Sequence, residues 1–151
     1  MKKLKFAARI LLPFFVLISL VSCKNLIDTV DILGYKYVLT ELNDDNIQLY
    51  QNVAEGHFSY EFIFASSGNG VTRVVVTGAG ASAREETAGT FSVYSDRLTL
   101  TFPDETITLT YTKSNGTLKG KVKLPLIDEN GFVMNRTKNV TASFRAFARV
   151  D

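Results

Sequence analysis

From Tyr35 onward, apolar side chains recur at every second position, and short clusters of Gly, Asn, Asp, Ser and Pro interrupt the pattern at hairpin intervals. A period of two belongs to a half-buried β-strand, because successive side chains point to opposite faces of a sheet. Tyr35, Tyr37 and Leu39 begin it, and Phe58, Tyr60, Phe62 and Phe64 continue it opposite Ser59, Glu61 and Ile63. Residues 71–77 read as a returning strand and 78–89 as a loop of small residues. Leu98, Leu100 and Phe102 then oppose Thr99 and Thr101, and Ile107, Leu109 and Tyr111 oppose Thr106, Thr108, Thr110 and Thr112. Leu118, Val122 and Leu124 oppose Lys119, Lys121 and Lys123, and Val140, Ala142 and Phe144 oppose Thr141, Ser143 and Arg145. Residues 43–46, Ser95-Asp96, Pro103-Asp104-Glu105 and Ser114-Asn115-Gly116 supply turns. The pattern predicts an all-β, antiparallel up-and-down meander of about eight to ten strands. Closing it into a barrel, fully or nearly, hides the two edges that a meander would otherwise leave.

The first 22 residues follow another rule and are expected to form a signal-peptide helix. Lys2, Lys3, Lys5 and Arg9 precede an apolar run at residues 10–20 that is too short to span a bilayer, which needs about 20 residues. Pro13 weakens a spanning helix further. The run ends in Leu20-Val21-Ser22-Cys23, which resembles the lipobox of bacterial lipoproteins. Small side chains suit the extended backbone gripped by a peptidase, and a thiol is nucleophilic enough to accept a diacylglycerol. The resemblance implies cleavage before Cys23 and an S-diacylated, N-acylated terminus, for which palmitate is a typical chain. Three acyl chains anchor a protein far more firmly than one. Lys24, where many inner-membrane lipoproteins carry Asp, implies the outer membrane. The expected organisation is a signal peptide over 1–22, a lipidated tether over 23–33 and a β domain over 34–151. Leu26, Ile27, Val30 and Leu33 suit one or two amphipathic turns within the tether.

Cys23 is the sole cysteine of the 151 residues, so no internal disulfide can form and stability must come from the core. From Cys23 on, 13 basic residues face 15 acidic ones, a balance that argues against nucleic acid as a partner. The charge is divided unevenly. Residues 23–110 hold 5 basic and 12 acidic side chains, while 111–151 hold 8 basic and 3 acidic.

The stretch from Gly89-Thr90-Phe91 through Asp96-Arg97-Leu98-Thr99-Leu100 to Tyr111 resembles the strand rhythm of small bacterial lipocalin-like lipoproteins. That resemblance implies an eight-stranded barrel that holds an apolar ligand. The lipocalin Gly-x-Trp is absent, however; Gly34-Tyr35-Lys36 stands in its place and the chain has no Trp. Phe58, Tyr60, Phe62, Phe64, Phe91, Phe102, Tyr111, Phe132 and Phe144 should face inward, where they either fill the barrel or line a ligand cavity.

Little in the sequence suggests catalysis. His57 is the only histidine, and no nucleophile motif accompanies it. The acid pairs Asp44-Asp45, Glu85-Glu86, Asp104-Glu105 and Asp128-Glu129 read as solvated turns, with no calcium-loop spacing. The small-residue run from Gly78 to Ala83 reads as a link between strands and not as a phosphate cradle, since neither Lys nor a helical pattern follows it. The sequence therefore suggests a non-enzymatic envelope lipoprotein without metal or cofactor. Its barrel binds a small apolar ligand or, alternatively, is packed and serves as a protein-interaction module such as an adhesin, inhibitor or assembly factor. Cys23→Ala should abolish acylation; intact-mass analysis and detergent phase partitioning are expected to show a chain without the diacylglyceryl mass that no longer enters the detergent phase.

Overall fold

The alternation becomes eight antiparallel strands in the computed structural model, which describes residues 27–43, 58–78, 83–127 and 133–149. They are β1 (Tyr35–Asn43), β2 (Phe58–Phe64), β3 (Gly70–Thr77), β4 (Ala83–Tyr94), β5 (Arg97–Thr101), β6 (Thr106–Thr112), β7 (Thr117–Ile127) and β8 (Val133–Arg149). Each pairs with the next, and β8 returns to pair with β1, so the sheet is a closed up-and-down barrel. The expected signal segment lies outside the described residues, as do residues 47–50, where the alternation of Ile47 and Leu49 with Gln48 and Tyr50 predicts a further strand.

One expectation is corrected. Residues 78–89 are not all loop, because β4 begins at Ala83 and pairs with β3 from Thr77↔Ala83 to Gly70↔Thr90. Ala and Gly have poor strand propensity, but a continuous ladder to β3 outweighs it. Gly89 also has a packing role. A side chain there would lie 2.5 Å from the Phe102 ring and from the Thr101 carbonyl oxygen, so the strand can approach β5 this closely only without a Cβ.

The inner faces form one core, with Tyr37, Phe62, Phe64, Leu98, Leu100, Leu109, Leu118, Leu124 and Phe144 among its fully enclosed members. Register puts side chains from adjacent strands in shared layers: Leu39 opposite Phe144, Phe64 opposite Val71, Phe91 opposite Leu100. Thr and Lys occupy the outer face because their polar ends remain hydrated there.

The two ends of the barrel differ. Before β1, residues 29–31 form a 3-10 turn capped by Asp28, whose carboxylate accepts from the Val30 N–H at 3.3 Å while Asp31 accepts from the Asp28 N–H at 3.4 Å. The turn sits across one end as a plug. Ile32 is fully buried, the Ile27 N–H donates to Ser95 O at 2.9 Å, and the Gly34 N–H donates to Ala65 O at 3.0 Å. The Tyr37 hydroxyl donates to Asp31 O at 3.4 Å, and Lys113 lies 3.2 Å from the Asp31 carboxylate. Gly34, at φ 75, redirects the chain into β1, a conformation that few other residues adopt without strain.

At the opposite, loop end the wall is uneven. β4 pairs with β5 only through residues 90–94, and β7 pairs with β6 only through 117–120. The short β5–β6 hairpin therefore leaves a dip in the rim between the far ends of β4 and β7. Pro125 fits there because a strand partnered on one side can dispense with an N–H. Phe62→Ala should reduce stability by about 3 to 5 kcal/mol, measured by urea unfolding, because the closed layers around it cannot collapse to fill the space.

Candidate functional site

Of the nine aromatic residues expected to face inward, the eight that lie among the described residues, all but Phe132, are buried on the inner face. Six of them meet another of these rings. Tyr60 meets Phe62 edge-on at 5.3 Å between ring centroids, Phe62 lies 4.9 Å from Phe144, and Phe64 meets Phe91 edge-on at 5.2 Å. Phe62 also stacks on Phe102 at 6.3 Å. Such offset and edge-to-face contacts are how rings pack when they fill a core.

A charged residue sits among them. Arg73 of β3 faces inward beside Phe62 and is almost fully enclosed. Its guanidinium carbon lies 4.8 Å from the Phe102 ring centre, so the cation rests on an aromatic face. One terminal nitrogen donates to Asp104 at 2.8 Å and to Thr87 Oγ1 at 3.2 Å, and the other donates to Glu105. Asp104 and Glu105 belong to the β5–β6 turn, where the Phe102 N–H donates to Glu105 O. The turn is thereby latched to the barrel interior. This acid pair, expected to be merely solvated, carries the counter-charge of a buried cation. The sequence offered one signal: Arg73 shares the parity of Val71 and Val75, which places a charge on an otherwise apolar face. What it could not show was that a turn some thirty residues later supplies the partners.

The two carboxylates respond oppositely to the same guanidinium. The hydrogen bond from Arg73 holds the well-exposed Asp104 below its ordinary range. Glu105 is more enclosed, and burial pushes it above its ordinary range despite the adjacent charge. Burial alone would lower Arg73, but the Asp104 hydrogen bond and the charges of its neighbours outweigh that and hold it firmly protonated. The Tyr60 hydroxyl is buried nearby without a hydrogen-bond partner; Arg73 acts on it electrostatically, and burial raises its pKa far above the usual phenol range.

Toward the rim from this cluster lies a cavity of about 170 Å³ lined by Val75, Thr77, Ala83, Arg84, Glu85 and Pro125. Glu85 and Glu86 are strand residues, not a turn. Glu86 pairs with Arg84 at 2.7 Å on the outer face, while Glu85 lines the cavity. On the outside of β7, Lys119, Lys121 and Lys123 are exposed in a row. Among the described residues no group of His, Cys, Asp or Glu is arranged to hold a metal ion. Cys23, Leu20, Val21, Ser22, His57, Asp44, Asp45, Asp128, Glu129 and Phe132 lie outside the described residues. Comparison with known protein families, curated proteins and solved structures finds no match for this chain.

Arg73→Met should lower stability by about 2 to 3 kcal/mol at pH 7, less than for a fully buried pair because Asp104 reaches solvent. The deficit should shrink with acid. Stability from the depressed Asp104 is present above its ordinary pKa and lost as pH falls through its lowered value, whereas without Arg73 both carboxylates protonate more readily. Urea unfolding of both proteins at pH 7 and below about pH 4 checks this convergence.

Proposed function

We propose that this chain is a non-enzymatic lipoprotein of the bacterial cell envelope, anchored through acyl chains on Cys23, whose barrel is a packed scaffold for a protein-interaction surface. The observation that carries this reading is the packing of Tyr60, Phe62, Phe64, Phe91, Phe102 and Phe144 against one another within one core. Rings engaged with each other leave little interior for an apolar guest, and pockets for small molecules usually measure about 300 to 1,000 Å³. Its role is then that of an adhesin, inhibitor or assembly factor. Lys24 after the modified Cys favours the outer membrane.

The outer wall of the second half suits a partner of opposite charge. The outer face of β5 to β8 carries Arg97, Lys119, Lys121, Lys123 and Arg145, and these strands contain no Asp or Glu. Lys119, Lys121 and Lys123 stand about 7 Å apart along β7, between the Thr-lined face of β6 and Asn139 and Thr141 of β8. A regular row of cations fits an acidic protein surface and speeds its encounter. Reversing all three lysines to Glu in the full chain should remove a partner recovered by cross-linking in intact cells. Undiminished recovery would exclude this face.

A second reading rests on the rim cavity, where Val75, Ala83 and Pro125 present apolar surface. It predicts saturable binding of a fluorescent fatty acid that Val75→Trp abolishes. The packed-scaffold reading predicts no saturable binding and no stoichiometric lipid in an organic extract of the purified protein.

A further inference from the structure

Among the described residues the exposed large apolar side chains are not scattered. The three most exposed large ones among the described residues are Tyr94 at 84%, Phe147 at 76% and Val30 at 69%. All three lie at the plug end, on three separate elements: Tyr94 at the close of β4, Phe147 two residues before the end of β8, and Val30 on the plug itself. Met134, exposed at 44%, stands at the loop end, on the second residue of β8. Single exposed apolar residues are ordinary, but their concentration around one rim marks a surface that meets something apolar.

The chain itself indicates what that is. The Ile27 N–H is bonded to Ser95 O in the β4–β5 turn, next to Tyr94. Cys23 precedes Ile27 by four residues, which span at most about 14 Å when extended. An acyl chain on Cys23 therefore keeps the plug end within that distance of the lipid headgroups. The aromatic rings also have basic companions. The Lys36 ammonium lies 5.3 Å from the centre of the Phe147 ring, and Tyr94 is the cross-strand partner of Arg97. An aromatic ring beside a long cationic side chain matches the bilayer interface, with the ring at the acyl boundary and the cation at phosphate level.

We infer that the plug end of the barrel rests on the bilayer surface, with Tyr94, Phe147 and Val30 in the interface and Arg97 against lipid phosphates, while Lys36 stays paired with Glu61 at 3.6 Å beside the Phe147 ring. This deepens the proposed function and rests on its claim that Cys23 is acylated. The strands then rise from the membrane, so the Arg73 cluster and the rim cavity face away from it, and the β7 lysines climb the exposed wall.

The chain has no Trp, so a single introduced one reports its own surroundings. Full-length Tyr94→Trp, Phe147→Trp and Met134→Trp proteins, purified from bacterial membranes and checked by intact mass for the lipid, would be reconstituted into phosphatidylethanolamine–phosphatidylglycerol vesicles with brominated acyl chains. These positions are exposed, so the folded barrel accommodates the larger ring. Emission from positions 94 and 147 should shift to the blue and be lost to bromine quenching, while emission from 134 should stay unquenched and open to aqueous iodide. Lipidated, vesicle-bound protein in which 94 and 147 behave like 134 would overturn the orientation alone. A chain without the lipid mass would overturn the anchoring reading as well.

Discussion

Antiparallel pairing of β8 with β1 closes the sheet, and the interior of an eight-stranded barrel is about as wide as the side chains projecting into it. Everything else in the fold works within that limit. Aromatic rings on β2, β4 and β8 meet one another because they share a narrow lumen, and Gly89 admits Phe102 where the wall would otherwise be too tight. Without disulfides, this packing and the continuous hydrogen-bonded ladder hold the domain together.

Closure also sets the problem that Arg73 solves. The β5–β6 hairpin is shorter than its neighbours, so its turn lies low in the rim and could drift from the barrel. Arg73 reaches from β3 to hold Asp104 and Glu105, with Thr87 and the Phe102 face completing its surroundings. A buried cation is tolerated here because its donors are satisfied and one of its carboxylates remains open to water. Lys123 of β7 adds favourable charge to the same turn, tying the margin of the basic wall to the latch.

Among the described residues the two ends thereby acquire different characters: one is sealed by a capped turn and carries the exposed Tyr94, Phe147 and Val30, the other is uneven and carries a small cavity. Under the proposed anchoring through Cys23, the plug end would match lipid while the other end and the walls would remain available to a partner.

Much of the architecture was legible along the chain. The two-residue alternation of Phe58 to Phe64 and of Leu98 to Tyr111 identifies inner and outer faces because strand geometry allows only one assignment. Strand β4 was not legible over residues 83–89, where small and charged residues hide a strand that only its ladder to β3 creates. The polar cluster was equally hidden, since Asp104 and Glu105 look like any turn until register and closure bring Arg73 to them. By itself the sequence determined the β class, the inward aromatics, the cysteine-free core and the motif at Cys23, all of which follow from local periodicity and residue chemistry. Only the tertiary structure decided that the barrel closes at eight strands, that the rings pack on each other, that a buried arginine latches a turn, and that Tyr94, Phe147 and Val30, the most exposed large apolar side chains among the described residues, share the end where the chain enters. Those outcomes depend on contacts between residues far apart in sequence, whose meeting is set by strand register and closure.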